Sequence, residues 1–346
     1  MKLGMFLKMS GASPKIDMET VLEAERVGFE SVWTGEAYST DAVTPIAWVL
    51  ARTTRIKAGT SIMQIPARTP ACAAMTAMTL QALSGNRFLC GVGVSGPQVV
   101  EGWHGVPFGK PMARTREYIA IIRQILAREA PLTFEGDQYQ IPYRGPDATG
   151  LGRALKSIMH PNPDMKFYTA AITPAGLRTA GEVADGTLPI WMSPEQPKLL
   201  TDAIVAGRAK AGKPANLDGF DCAPYVRIRV GDDLDACRDA LRPDFALYIG
   251  GMGARSKNYY NDLAKRMGYE EAAVKIQNLY LDGKKKEAEA AVPDALIDEV
   301  SLVGPPDRIK DRLQVWKAAV KAGQIGTVLL NGVTVDSVRL AAEAVL

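Results

Sequence analysis

Histidine and cysteine are scarce in this chain, and their scarcity limits the metal chemistry to be expected of it. Of the 346 residues, two are histidines and four are cysteines. His104 and His160 are not at a ligand spacing, and no two cysteines form a Cys-x-x-Cys pair. We therefore expect no metal site. The cysteines are expected to be reduced and mostly buried.

The chain also lacks a strong charge excess and a long apolar run. Its net charge is +3, which is too small to indicate a nucleic-acid partner. No apolar run reaches the roughly 18 residues of a transmembrane helix. The apolar start of the chain is too short for a signal peptide and is broken by Lys8. We expect a cytoplasmic protein without a membrane partner.

Short apolar strands alternate with amphipathic helices along the chain. The predicted strands are at 3–8, 31–35, 56–62, 87–93, 167–171, 186–191, 225–230 and 327–331. Such alternation is typical of an α/β fold with a parallel sheet buried on both faces. Eight strands predict a (β/α)8 TIM barrel, with residues 1–346 as a single domain and insertions at about 97–165 and 233–300.

An open doubly wound sheet is the alternative architecture. It is weakened because no Gly-x-Gly-x-x-Gly fingerprint follows the first strand, where a dinucleotide fold requires it. The spacing does occur at 91–96, but after the fourth strand, and no acidic residue stands about 20 residues later to bind a ribose.

Small and polar residues follow three of the predicted strands abruptly. They are 59–64 (GTSIMQ), 93–98 (GVSGPQ) and 170–174 (AAITP). In a barrel, binding and catalytic groups collect at the carboxyl ends of strands, so a cofactor site is predicted there. Thr173 can cap a helix that begins with Pro174, and the N–H groups of its first turn suit a phosphate. A plain helix cap is the alternative for that segment.

Several strings taken together resemble the luciferase-like superfamily of (β/α)8 barrels, and within it the branch that uses the deazaflavin coenzyme F420. They are 32–38 (VWTGEAY), 59–64, 93–103 (GVSGPQVVEGW), 113–118 (ARTREY) and 248–253 (YIGGMG). The resemblance covers most of the chain. It implies coenzyme F420 as cofactor, with FMN as the alternative, a small-molecule substrate and a homodimer.

The resemblance also implies which residues bind the cofactor. Residues 61–62 resemble a bulge with a non-prolyl cis peptide against the middle ring of the deazaflavin. Gly93 and Gly96 would let backbone approach the ring or its ribityl chain. Residues 170–174 resemble the phosphodiester site, although Thr173 stands where relatives usually have glycine. The implied set is Glu36, Ser61, Ile62, Gln64, Val94, Ser95, Gly96, Gln98, Ala170, Ala171, Thr173 and Pro174.

The catalytic residue is not assigned by sequence, and the candidates are Glu36 and His104. Glu36 matches an acidic residue beside the coenzyme, but Ala37 stands where many relatives have a proton-handling histidine. His104 could donate a proton to a reduced substrate, or it is a structural loop residue. Arg114 and Arg116 either meet the coenzyme's acidic tail or are solvated.

The first hypothesis for function is an F420-dependent oxidoreductase that transfers hydride between the coenzyme and a small organic substrate. The missing base favours reduction of an activated double bond or imine. The alternatives are an FMN-dependent luciferase-like monooxygenase and a non-catalytic barrel that binds a flavin or deazaflavin.

Overall fold

The computed structural model describes residues 1–7, 9, 11–162 and 164–346. Lys8, the last residue of the first predicted strand, lies outside them. The strands are β1 (Leu3–Phe6), β2 (Ser31–Thr34), β3 (Lys57–Thr60), β4 (Met63–Gln64), β5 (Phe88–Gly93), β6 (Phe134–Glu135), β7 (Gln140–Ile141), β8 (Phe167–Thr169), β9 (Gly186–Thr187), β10 (Asp221–Cys222), β11 (Tyr225–Val230), β12 (Ser301–Gly304) and β13 (Val328–Asn331).

Helices follow most of the strands and form the outer layer. They are α1 (Met18–Val27), α2 (Val43–Arg52), α3 (Pro70–Ser84), α4 (Pro97–Gly102), α5 (Pro111–Ala127), α6 (Pro174–Val183), α7 (Lys198–Lys210), α8 (Leu234–Asp239), α9 (Arg242–Ala246), α10 (Tyr259–Arg266), α11 (Glu270–Leu281), α12 (Lys285–Ala290), α13 (Asp294–Val300), α14 (Pro306–Lys321) and α15 (Val335–Val345). A 3-10 turn spans Ile65–Ala67 and a π-helical turn spans Leu247–Gly251.

Eleven of the strands form one parallel sheet, which closes on itself. The order is β10-β9-β8-β5-β3-β2-β1-β13-β11-β12, with β4 paired to β5. The chain from β10 into β11 joins the two sides. The N–H of Ala223 donates to the carbonyl of Thr187 (2.8 Å), and the N–H of Leu329 donates to that of Pro224 (2.9 Å). The predicted (β/α)8 barrel is therefore confirmed, with β3 and β4 sharing one of the eight positions, β10 and β11 another, and β12 an additional strand paired with the end of β11.

The inside of the barrel is filled by side chains from all eight strand positions. Trp33 lies at its centre, packed edge-on against Tyr168 with ring centroids 5.0 Å apart. Gly59 makes room for the indole, because a Cβ there would lie 2.5 Å from the ring. The interior set is Phe6, Trp33, Ile62, Leu89, Tyr168, Leu188, Ala223, Tyr225 and Leu329. The interior is a packed core, so ligands can bind only at its ends.

The helix starts at two strand ends follow the sequence prediction. The Thr69 hydroxyl accepts a hydrogen bond from the N–H of Cys72 (3.2 Å), and that of Thr173 accepts one from Gly176 (3.1 Å). Proline occupies the first position of each helix, where the missing N–H removes no intrahelical bond. The positions at which α3 and α6 begin were therefore predictable from the sequence alone.

The two predicted insertions are only partly outside the barrel. The region 97–165 contains α5, which packs between α3 and α6 as a helix of the ring. The region 233–300 is helical, as expected, from α8 to α13. Strand β12 follows it directly and pairs with β11 in parallel register, Arg227 with Ser301 and Val230 with Gly304. The sequence reading missed β12, because α13 runs into it at Val300 without an intervening turn. No helix in the described ranges is long and apolar enough to cross a membrane.

Candidate functional site

The bulge between β3 and β4 is the central feature of the barrel mouth. The peptide bond between Ser61 and Ile62 is cis, as the resemblance implied. Neighbouring strand ends leave space for it, because a side chain at Gly35 would overlap the Ser61 carbonyl and one at Gly93 would lie 2.8 Å from Ile62. Gly93 therefore accommodates the Ile62 side chain, and the approach of a ligand to its backbone stays a prediction.

Glu36 is held in a buried ion pair. Its carboxylate accepts both terminal nitrogens of Arg68, and it also accepts the N–H groups of Ala42 (2.9 Å) and Gln64 (2.8 Å). The side chains of Glu36 and Arg68 are 6% and 18% exposed. Burial lowers the pKa of Arg68, but the hydrogen bonds and charge of Glu36 raise it by more, so the pKa lies above its ordinary value. With both oxygens occupied, Glu36 positions the loops around it and is not placed to take a proton.

The segment after β5 turns sharply at the mouth. Ser95 has a φ of +59°, in the left-handed region that few residues other than glycine adopt. Val94, Ser95 and Gly96 are half-buried, and Gln98 is exposed in the first turn of α4. Three of these four predicted residues are therefore half-buried at the edge of the mouth, while the Gln98 side chain is exposed to solvent beside Gly96.

A small cavity connects the ends of β5 and β8. Its walls are the two strand ends and the first turns of α5 and α6. The lining residues are Gly93, Val94, Met112, Thr115, Thr169, Ala170, Ala171, Gly176 and Thr179. The structure thus brings the predicted residues Val94, Ala170 and Ala171 together. Thr173 and Pro174 begin α6 at one side of this cavity.

Buried polar atoms without a hydrogen-bond partner gather at these strand ends. Among the described residues they include Gln64 Oε1 after β3, Thr169 Oγ1 at the end of β8, the Tyr225 hydroxyl on β11 and Asn331 Oδ1 at the end of β13. Leaving a buried polar group unsatisfied costs about 1–3 kcal/mol, and each such group in a native protein requires an explanation. Four of them at one end of the barrel indicate a site for a polar ligand.

Tyr225 is an ionisable group beside the bulge, next to Ser61. Its ring packs edge-on against Phe6, with centroids 5.1 Å apart. Burial raises the pKa of Tyr225 well above its ordinary value. The neighbouring Ser61 hydroxyl lowers that pKa in part. The Tyr225 hydroxyl is nevertheless without a hydrogen-bond partner among the described residues. Tyr225 is therefore a protonated phenol at neutral pH and can donate a hydrogen bond or a proton.

His104, the second catalytic candidate, lies just beyond α4. Its backbone N–H donates to the carbonyl of Val99 (3.1 Å). Its Nε2 is buried and has no partner within the part of the chain described. The structure therefore fixes the His104 backbone and leaves its ring free to form a hydrogen bond. No group of three His, Cys, Asp or Glu side chains is arranged to hold a metal ion in that same part of the chain.

An aromatic cluster beside the mouth was missed by the sequence analysis. Trp191, after β9, stacks on Phe245 with centroids 5.1 Å apart. Tyr248 and Tyr260 pack against its edges and against each other (4.8 Å). These four residues, which we call the aromatic roof, join the barrel to the second insertion. The one signal in the sequence was the string 248–253, which includes Tyr248 and most of the π-helical turn. Such turns are frequent at functional sites.

Arg227 is a further residue that the sequence reading did not select. It pairs with Asp244 at 2.8 Å. Its position on β11 is in register with Asn331, which in turn is in register with Phe6. The alternation of Tyr225, Arg227 and Arg229 with apolar residues could have indicated a strand whose inner face turns polar toward its end.

The two arginines suggested for the acidic tail have other partners. Arg116 pairs with Glu182, at 2.5 Å, and Arg114 donates to the carbonyl of Pro107 (3.1 Å). The charge of Arg116 is therefore compensated by Glu182, whereas Arg114 is hydrogen-bonded to a carbonyl and its role stays a prediction.

Comparison with known proteins places these features in a family. A model of the luciferase-like monooxygenase family matches residues 1–321. A Mycobacterium tuberculosis protein inferred to be a coenzyme F420-dependent oxidoreductase is 43% identical, over 92% of each chain. The 5,10-methylenetetrahydromethanopterin reductase of Archaeoglobus fulgidus is 30% identical over 86% of this chain and 85% of that one.

A solved structure supports the fold. The coenzyme F420-dependent tetrahydromethanopterin reductase of Methanopyrus kandleri superposes with a TM-score of 0.77 over 99% of this chain and 98% of that one. Its sequence is 24% identical, so this likeness bears on the architecture alone.

The ion pair of Glu36 predicts a specific pattern of stability. Arg68→Met leaves the buried carboxylate uncompensated and is expected to lower the free energy of unfolding by about 3 kcal/mol. The double variant E36Q/R68M removes both charges and is expected to recover at least about 1 kcal/mol of that loss. Urea unfolding followed by tryptophan fluorescence measures both. Equal losses in the single and the double variant would contradict the assignment, as would an E36Q protein of unchanged stability that has lost its activity.

Proposed function

This chain belongs to the family of luciferase-like monooxygenases, and from that premise we propose that it is an F420-dependent oxidoreductase acting by hydride transfer on a small organic substrate. The 43% identity to a protein inferred to be F420-dependent supports the cofactor. Within the structure, the observation that carries the proposal is the group of unsatisfied polar atoms around the cis bulge at the barrel mouth.

The residues at the mouth fit a flat, polar ring. Ser61, Ile62 and Val94 follow neighbouring strands at the mouth and are half-buried. Tyr225, Asn331 and Gln64 present unpartnered polar atoms at the same end of the barrel. The unpartnered amide oxygens need a hydrogen-bond donor and the phenol can give its proton to an acceptor. A pyrimidine edge carries both donors and acceptors. When bound, the deazaflavin supplies hydride chemistry without oxygen activation. The chain's own part is to hold the ring, exclude water and provide a proton.

The ionisable groups at the mouth favour reduction of the substrate over oxidation. Reducing a carbon–carbon or carbon–nitrogen double bond requires a proton donor, whereas oxidising an alcohol requires a base. Glu36 and Asp244 are each paired with an arginine. The Tyr225 phenol is buried and its pKa is raised, so it stays neutral and does not serve as a base, while its O–H can hydrogen-bond the substrate or coenzyme. The proposed direction is therefore reduction of an activated double bond or imine, with Tyr225 or His104 as the donor.

The cofactor assignment is tested by titrating the purified protein with F420 and, separately, with FMN. We expect F420 to bind at least about 100-fold more tightly, followed by oxidation of reduced F420 in the presence of enone or imine acceptors. Tight FMN binding with oxygen consumption would instead assign the monooxygenase branch. Tight F420 binding without turnover on any acceptor would favour the non-catalytic carrier.

The role of Tyr225 predicts opposite effects on stability and binding. In Y225F the loss of a buried, unpartnered hydroxyl is expected to leave the stability of the ligand-free protein unchanged or slightly increased. Affinity for the coenzyme is expected to fall by about 5–10-fold, because a hydrogen bond to the ligand is lost.

A matched control, Tyr168, exists on β8, which β9 separates from the β10–β11 position of the barrel. The Tyr168 hydroxyl donates to Asp221 (3.0 Å), away from the mouth. Y168F is therefore expected to lower the free energy of unfolding while leaving coenzyme affinity within about twofold. Thermal melting and fluorescence titration of both variants measure the two quantities. Unchanged affinity in Y225F would remove Tyr225 from the binding site.

We further propose a homodimer, supported by exposed apolar side chains on neighbouring helices of the ring. Trp48 on α2 is 50% exposed, and Met75 and Leu83 on α3 are 63% and 82% exposed. Apolar groups concentrated on one region of a surface often mark an interface. Light scattering is expected to give twice the chain mass of 37.3 kDa. The M75E/L83E variant should shift that value toward the monomer, and a monomeric wild type would disprove the proposal.

A further inference from the structure

Arg266, the last residue of α10, carries a half-buried charge without an opposite charge in contact. Among the residues that the structure describes, no carboxylate lies within ion-pair distance of its guanidinium. Its Nη2 donates to the carbonyl of Ile172 (2.7 Å), and its Nε is buried without a partner. Removing a charge from water is costly unless it is paired, so this arrangement calls for an anion.

The loop that Arg266 contacts is itself electropositive. Ile172 lies between β8 and α6, two residues before the helix begins at Pro174. The first N–H groups of a helix lack intrahelical acceptors, and the helix dipole adds a partial positive charge there. The Thr173 hydroxyl accepts the N–H of Gly176 and its carbonyl accepts that of Leu177. Pro174 has no N–H, so among the described residues the N–H of Ala175 is the first-turn donor left without an acceptor. A guanidinium and the amino end of α6 therefore act on the same loop, and their charges add.

Thr169 provides an independent sign of a ligand at this loop. Its side chain is 4% exposed, its Oγ1 has no hydrogen-bond partner, and it lines the cavity between β5 and β8. Ala170, Ala171 and Gly176 line the same cavity with small side chains or none. A hydroxyl donor in a cavity bounded by a helix N-terminus matches the donor set of a phosphate oxygen.

We propose that Arg266 is the counter-charge for the phosphodiester of the bound coenzyme, which it holds against the first turn of α6. The identity of the ligand rests on the proposed function, whereas the need for an anion rests on Arg266 itself. Burial lowers the pKa of Arg266, and the nearby charge of Asp262 offsets this only in part. Arg116 is committed to Glu182, so it does not supply this charge.

This role would connect the cofactor to the substrate side of the mouth. Helix α10 carries Arg266 at one end and Tyr260, a member of the aromatic roof, near the other. The side chains of Asn258 and Asn261 donate to the carbonyl of Ile249 at 3.0 and 3.1 Å and so fix α10 to the π-helical turn. An anion that anchors Arg266 therefore also anchors the helix that holds the roof.

The test compares ligands that differ only in their phosphate. Fluorescence titration is made with F420 and with its deazaflavin core lacking the phosphodiester and tail, and in parallel with FMN and riboflavin. In R266Q the Kd for F420 is expected to rise by at least about tenfold, because a charge-assisted hydrogen bond is lost. The Kd for the core should stay within about twofold.

Two further variants test whether the loss of affinity comes from the charge of Arg266 itself, from the net charge of the helix or from misfolding. Lys265→Gln removes a neighbouring positive charge from the same helix and is expected to change Kd for F420 by less than about twofold. R266K keeps the charge and is expected to restore at least half of the lost discrimination between F420 and its core. Thermal melting of all three variants shows whether α10 and its surroundings are intact.

The possible outcomes distinguish this inference from the proposed function. Equal losses for F420 and its core in R266Q, or no loss for either, would overturn the role of Arg266 and leave the cofactor assignment standing. If the wild-type protein binds FMN in place of F420, the cofactor assignment fails, and the FMN–riboflavin pair then tests Arg266 by the same criterion. A wild-type protein that binds none of the four would overturn both.

Discussion

The buried ion pair between Glu36 and Arg68 is the contact on which the shape of the barrel mouth depends. Glu36 leaves the end of β2, and its carboxylate binds the backbone at Ala42, the backbone at Gln64 and the guanidinium of Arg68. The loop between β2 and α2 and the segment that leads from β4 into α3 are thereby joined at one point. Because breaking such a pair leaves a buried charge uncompensated, the geometry around the Ser61–Ile62 bulge is strongly determined.

Three glycines also determine the shape of the barrel mouth. Gly35, Gly59 and Gly93 each lie where a side chain would collide with the bulge, with Trp33 or with Ile62. Gly93, which the resemblance places beside a ligand, also makes room for the packing of Ile62. The wall that a ring would meet is consequently made of side chains whose positions are fixed by close packing behind them, which is the support that a preorganised site requires.

The sequence predicted the fold more fully than it predicted the site, and the reason is the range of the interactions. Strand periodicity, the caps at Thr69 and Thr173 and the proline that follows each are local, so eight strands and the helix starts were readable. The partners of Glu36 lie 6 to 32 residues away, and no local pattern reveals that its oxygens are occupied. Trp191 meets Phe245 and Tyr260 only through tertiary packing, and Arg266 reaches Ile172 across 94 residues.

The two ends of the site differ in charge, and that difference constrains the ligand more than either end alone. At the bulge the unsatisfied groups are neutral: an amide at Gln64, another at Asn331 and the phenol of Tyr225. At the β8–α6 loop the environment is positive, from Arg266 and the amino end of α6. A wholly neutral ligand would leave the second end uncompensated, and a compact anion would leave the first unsatisfied. A molecule with a flat polar ring and an anionic extension satisfies both, and a deazaflavin that carries a phosphodiester has this form.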